Sequence, residues 1–218
     1  MDMRFEDRTE AGERLAAVLT QFRERPGTVV LGLARGGIPV AAAAAKALHL
    51  PLGAVLVRKL GIPGHEETAY GALAWARGRI VRLLNKPLLD RVREHGVRDE
   101  LLHQVEQREH DELLRRVNLY PGTDQEISGK TVLLIDDGLA TGATMRAAVE
   151  AVREGGAEKV VAAAPVGSIE AEASVERVCD AVLCLALPGK FRAVGSFYRH
   201  FEQLTDEDAI SFLKQSSP

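Results

Sequence analysis

The residues best suited to chemistry lie in one run, Val132–Thr144 (VLLIDDGLATGAT). Two adjacent carboxylates, Asp136 and Asp137, follow an uncharged apolar stretch. In an open α/β sheet, ligands bind outside the carboxyl ends of the strands, so this pair is expected to point into a crevice. Behind it, Ala140-Thr141-Gly142-Ala143-Thr144 places small residues and two hydroxyls at the start of a helical pattern. Unpartnered backbone N–H groups and the helix dipole make such a turn a cradle for a phosphate monoester. Gly142 lets the backbone approach closely, while Thr141 and Thr144 add hydroxyl donors. Acids beside an anion cradle suit a sugar phosphate, with the carboxylates accepting from the sugar hydroxyls. No G-x-x-x-x-G-K-[ST] loop occurs, and no G-x-G-x-x-G follows a strand. A receiver-type acidic pocket would leave the first 130 residues without a purpose, and a plain strand-to-helix turn is the remaining alternative.

Other groups could serve the same site. Arg35 with Gly36-Gly37 offers a fixed charge and a backbone free to turn its amides toward an anion. Arg58 and Lys59 end a second apolar stretch, where cations can stabilise a departing anion. Leu60–Thr68 mixes breakers with charge and reads as a mobile loop able to exclude water. Within it Glu66 and Glu67 could hydrogen-bond an acceptor or merely be solvated, and His65 beside them is a poor start for a metal site, because adjacent residues do not converge easily. Four of the ten aromatics fall within Phe191–Phe201. They either offer a planar face for stacking or pin the C-terminal helix to the body.

The elements that must position these groups alternate. Thr28–Leu33, Leu52–Val57, Thr131–Ile135, Lys159–Ala164 and Ala181–Leu185 read as buried strands. Helical patterns cover Ile38–Leu48, Thr144–Glu154, Ser168–Val178 and Asp206–Lys214. Ala69–Ala74 and Arg79–Leu84 resemble strands around Arg77-Gly78, and Asn85–His95 and Arg98–Val117 resemble helices. The order implies an α/β fold with a doubly wound, mainly parallel sheet.

Composition narrows the class. The chain has 218 residues, 46% hydrophobic and 27% charged, with a net charge of −3. That suffices for a real core in one domain and argues against a nucleic-acid partner, which needs clustered Lys and Arg. Cys179 and Cys184 lie in an apolar stretch and are expected to be buried free thiols. Met1–Glu10 shows no apolar signal region and no run approaches a membrane span, so a cytoplasmic protein is expected.

The run Val132–Thr144 resembles the PRPP-binding signature of the type I phosphoribosyltransferases. The resemblance implies a parallel core, a flexible loop, a variable hood and transfer of phosphoribosyl from PRPP to a nitrogen, usually of a nucleobase, with Mg²⁺ and release of pyrophosphate. By position, Asp136 and Asp137 would hold the ribose hydroxyls and help hold Mg²⁺, Gly138 continues the motif, and Ala140, Thr141, Gly142, Ala143 and Thr144 would hold the 5′-phosphate. Leu33–Gly37 resembles the pyrophosphate loop, giving Ala34, Arg35, Gly36 and Gly37 that role, and Arg58 and Lys59 resemble the start of the catalytic loop. Ala140 stands where the 6-oxopurine enzymes place an acid, as in adenine and uracil members. Pro188–Phe191 with Val194-Gly195 instead resembles the hypoxanthine–guanine hood, where a Phe, here Phe191, stacks the purine. The resemblance leaves residues 85–120 as a helical insertion and 186–218 as a hood segment, within a single domain over 1–218, and is greatest to a functionally unassigned subgroup.

The expectation is a PRPP-dependent glycosyltransferase of nucleotide metabolism, such as purine salvage, acting on a nucleobase-like acceptor, with no nucleic-acid or membrane partner. Homodimers are common in the family, and Arg98–Val117 is the surface suited to one. The alternatives are a non-catalytic PRPP-binding regulator and a hydrolytic or amido variant. Only 27 residues precede the first strand, too few for a winged helix.

Overall fold

The computed structural model describes residues 4–76 and 78–215. Among them a seven-stranded sheet runs β4-β3-β2-β1-β5-β6-β7. Its strands are Thr28–Leu33 (β1), Leu52–Ile62 (β2), His65–Ala76 (β3), Arg79–Leu84 (β4), Thr131–Ile135 (β5), Lys159–Val166 (β6) and Ala181–Ala186 (β7). Strands β2, β1, β5, β6 and β7 are parallel, whereas β3 and β4 add to β2 antiparallel. The helices among the described residues are Arg8–Val18 (α1), Gly37–Leu48 (α2), Lys86–Glu94 (α3), Asp99–Val117 (α4), Ala143–Glu154 (α5), Ile169–Glu176 (α6) and Asp206–Gln215 (α7). None is long and apolar enough to cross a membrane.

The period of two along each strand sorts its side chains between the two layers. Val29, Leu31, Leu33, Val132 and Leu134 pack with Met145, Val149 and Val152 of α5 and with α6. Val30, Leu133 and Ile135 face the other way, onto Leu15, Val40, Ala41 and Ala44 of α1 and α2. Apolar residues on both faces are what a parallel sheet covered by helices requires. A further cluster joins β2 and β3 to α3, α4 and α7 through Leu56, Leu60, Tyr70, Leu102, Val105, Leu113 and Leu213.

Three expectations change. First, α1 precedes β1, where the apolar pattern gives no element. Asp7 caps it by accepting from the Glu10 N–H, and Ala11, Leu15 and Ala16 are buried. Second, β2 runs on through Arg58 and Lys59 to Ile62, so Leu60–Thr68 forms the tip of a β-hairpin rather than an irregular loop. Leu60 and Ile62 are buried, which anchors the segment, and the breakers Pro63-Gly64 are confined to the two-residue turn between Ile62 and His65. The turn expected at Arg77-Gly78 includes Arg77, which lies outside the described residues. Third, Cys179 and Cys184 are free but half-buried; burial pushes the Cys184 thiol up to about 12.

Helix α1 lies unusually close to α2 because Gly12 has no side chain. A Cβ there would overlap the Val40 carbonyl oxygen and sit 2.8 Å from the Ala43 Cβ. Helix propensity alone favours Gly12→Ala by roughly 1 kcal/mol. Overpacking against a backbone costs about 1–3 kcal/mol, so the substitution is expected to destabilise, seen as a lower urea midpoint at unchanged slope.

Candidate functional site

Strands β1 and β5 are neighbours, yet the chain leaves them in opposite directions, through α2 to β2 and through α5 to β6. A crevice must open between the loops at their carboxyl ends. The loop after β1 and the acids after β5 meet there. A Cβ on Gly36 would overlap Asp137 Oδ2, and one on Gly37 would lie 2.5 Å from the Ile135 carbonyl oxygen and 2.8 Å from the Asp136 Cα. Glycine is therefore required by the closeness of the two loops. The Ala34–Arg35 peptide is cis, and the Ala34 N–H donates to the Val55 carbonyl at 3.2 Å, tying the loop to β2.

Asp136 and Asp137 are each partly exposed. Loss of solvation, then the Asp137 charge, pushes the Asp136 carboxyl well above the usual range, against the pull of Arg8 and Lys59. Asp137 is raised by burial and drawn back by Arg8. The contacts are specific. Asp136 Oδ1 accepts from the Asp137 N–H at 2.9 Å, Asp137 Oδ2 accepts from Arg8 Nε at 2.9 Å, and the Asp137 carbonyl accepts from the Tyr198 hydroxyl at 2.7 Å.

The next turn is pinned from below. Leu139 is buried and bridges to Gly167. Ser168 caps α6 and donates its hydroxyl to the Ala140 carbonyl at 2.9 Å. Ala140, Thr141 and Ala143 are exposed above it, Thr144 is half-buried, and Gly142 opens α5 in the left-handed region at φ 72°. The turn presents the amino end of α5 to solvent beside the acid pair, an arrangement that attracts anions.

Arg58 and Lys59 reach the cleft from β2. With Ala34, Glu66, Glu109 and Thr144 they line a space of about 360 Å³. A second space of about 540 Å³ is walled by Ala34–Gly36, Arg58, Asp137, Arg8, Arg116 and Phe201–Leu204. Arg58 is not a free cation. Its Nε and Nη2 donate to Glu109 Oε2 at 2.8 and 2.5 Å, and Arg108 Nε donates to the other oxygen at 3.0 Å. Glu109 is buried on α4 between Val105 and Leu113. An acid four residues from an apolar neighbour on either side is the sequence signal that would have found it. Glu66 accepts from the Gly64 N–H at 3.2 Å; the Glu67 side chain lies outside the described part.

The hood aromatics pack largely against one another. Phe191 stacks on Phe197 with ring centres 5.6 Å apart. Phe5, Tyr198 and Phe201 form a second chain of rings. The cluster packs on Phe5, Ala11 and Val166, whereas α7 is held by the cluster under β2 and β3. The rings thus pin the segment before α1, not the C-terminal helix. Phe5 N–H donates to the Phe197 carbonyl at 2.8 Å, and Arg199 N–H donates to the Phe5 carbonyl at 2.9 Å.

Comparison with known proteins bears on this geometry. Residues 9–197 match the family described as phosphoribosyl transferase domain. Two Mycobacterium tuberculosis proteins, from strains CDC 1551 / Oshkosh and H37Rv, carry provisional phosphoribosyl transferase names. Each is 41% identical over 214 residues, which is 97% of this chain and 47% of theirs. The chain spans about half the length of the curated relatives it matches. The crystal structure of TT1426 from Thermus thermophilus is 38% identical, covers 99% of this chain and 100% of its own, and superposes with a TM-score of 0.81.

The raised carboxyl of Asp136 has a consequence for stability. A folded-state value above the ordinary carboxylate value means the native protein binds the extra proton. Stability is then fullest below the ordinary value and is lost as pH rises through the raised one. Asp136→Asn removes that loss, so urea unfolding is expected to find the variant more stable than the parent at pH 8, the gap closing toward pH 4.

Proposed function

The chain belongs to the type I phosphoribosyltransferase family, and on that footing we propose that it transfers the phosphoribosyl group of PRPP to a ring nitrogen of a nucleobase-like acceptor, purines foremost, releasing pyrophosphate. The observation that carries the reading is the interlock of Gly36 with Asp137 beside the amino end of α5. It supports the reading because two loops suited to anions flank two carboxylates suited to hydroxyls, the order of charge and hydroxyl along PRPP.

In this proposal Ala140–Thr144 bind the 5′-phosphate, and Asp136 and Asp137 accept from the ribose hydroxyls. Ala34–Gly37, with Arg35 and Lys59, take the pyrophosphate. An acceptor nitrogen donates its lone pair to the anomeric carbon as the bond to the pyrophosphate oxygen breaks. The pyrophosphate leaves with the electrons of the broken C–O bond, and the nitrogen's proton passes to solvent water. Negative charge grows on the departing group, so cations and amides fixed there favour the transition state over the ground state. Arg58, held by Glu109, contributes a fixed rather than a swinging charge. With one face of Phe191 taken by Phe197, the opposite face is the one assigned to the acceptor.

Mg²⁺ fits the residues present. Two adjacent, partly exposed carboxylates, both raised by burial and Asp136 also by the Asp137 charge, would be relieved by a divalent cation, and Mg²⁺ commonly binds through one or two carboxylates together with substrate phosphates. When bound it would neutralise charge on the pyrophosphate.

Pyrophosphate release from Mg-PRPP across a panel of purine and pyrimidine bases tests the reading. Release that depends on one base is expected; release without a base would replace transfer by hydrolysis, and binding without any release would make the chain a PRPP-responsive regulator. Asp137→Asn is expected to weaken PRPP binding by about tenfold or more, the worth of a charge-assisted hydrogen bond, and an unchanged calorimetric affinity would remove Asp137 from the site.

A further inference from the structure

The guanidinium of Arg8 stands at the edge of the acid pair, 129 positions away in sequence from the carboxylate it touches. It is fixed on three sides. Nε donates to Asp137 Oδ2 at 2.9 Å, Nη1 donates to the Glu202 carbonyl at 3.0 Å, and its central carbon lies 3.8 Å from the centre of the Phe201 ring. The side chain is 11% exposed, against 15% for Asp137. Its backbone is equally constrained, because Arg8 begins α1 behind the Asp7 cap and α1 is clamped to α2 at Gly12. Gly36 packs against the same carboxylate, where an added Cβ would overlap Asp137 Oδ2 and lie 3.2 Å from Oδ1. Oδ2 is thus the oxygen that the guanidinium engages and the one nearer to Gly36.

We infer that Arg8 is a positioning residue for the ribose-binding carboxylate, holding Asp137 in one orientation. The inference rests on the PRPP reading above. A three-way clamp of this kind suits a residue that stays in place rather than one that swings onto substrate. It also explains why arginine occupies the position. A planar guanidinium can lie flat on Phe201 while its edge donates to a carboxylate and a carbonyl, whereas an ammonium is a point charge without that geometry. Arg8 acts through Asp137, and the same guanidinium fastens the hood segment around Phe201 and Glu202 to the end of β5.

Calorimetric titration with Mg-PRPP, on the whole chain, tests this. Arg8→Ala is expected to bind about 10- to 100-fold more weakly than the unaltered chain, the range for a lost hydrogen bond to a charged group, and Arg8→Lys to recover little of it. Guanidinium ion at millimolar concentration should restore part of the affinity of Arg8→Ala, and sodium at equal ionic strength should not. In an Asp137→Asn background, Arg8→Ala should change affinity by no more than about twofold, since the pair acts as one unit. Equal losses in both backgrounds, or an unchanged affinity in Arg8→Ala, would overturn the assignment. Should Arg8→Ala fail to fold, Arg8→Lys carries the same comparison. Failure of the unaltered chain to bind PRPP is a separate result, which overturns the PRPP reading and the role of Arg8 within it.

Discussion

Two carboxylates side by side at the mouth of an apolar sheet repel each other and lose solvation together. Loss of solvation is the larger effect at Asp136, with the Asp137 charge next. Much of the surrounding architecture answers that cost. Arg8 arrives from the layer of α1 and α2, Lys59 from the hairpin, and the Tyr198 hydroxyl ties down the Asp137 carbonyl from the hood. Three separate parts of the chain thus converge on one strand end.

The parts of the fold readable from sequence are those whose cause is local. Strands β1, β5 and β6 are unbroken apolar runs, since both faces are covered, and the small-residue turn after Asp137 has the composition of an anion cradle wherever it stands. Helix α1 escapes that reading because its buried face is built from Ala11, Gly12, Leu15 and Ala16, too small to mark a stripe, and its position depends on a missing side chain. The hairpin tip is obscured by Pro63 and Gly64, which mark a turn without saying how short it is. Leu60, Ile62 and Tyr70, all buried, decide the matter in three dimensions.

The site divides in the same way. Asp136, Asp137 and the Ala140–Thr144 turn are contiguous, so their joint chemistry is legible. Arg8 with Asp137 and Arg58 with Glu109 are ion pairs across 129 and 51 positions, and no spacing rule reaches that far. Helix α4 walls the cleft, because it brings a buried acid to an arginine on β2. Its apolar stripe is visible in the sequence; the acid interrupting it carries the information.

The hydrogen bonds between Phe5 and residues 197–199 have a consequence in time. A ribosome releases the chain from its amino end, and domains of this kind assemble as they emerge. The sheet can form around β1, β2 and β5 well before residue 197 exists, but Phe5 lacks its backbone partners and Arg8 its lid until then. Closing so long a loop is slow relative to the local steps. The acid pair is therefore without its full enclosure until the residues from Phe197 to Glu202 have docked.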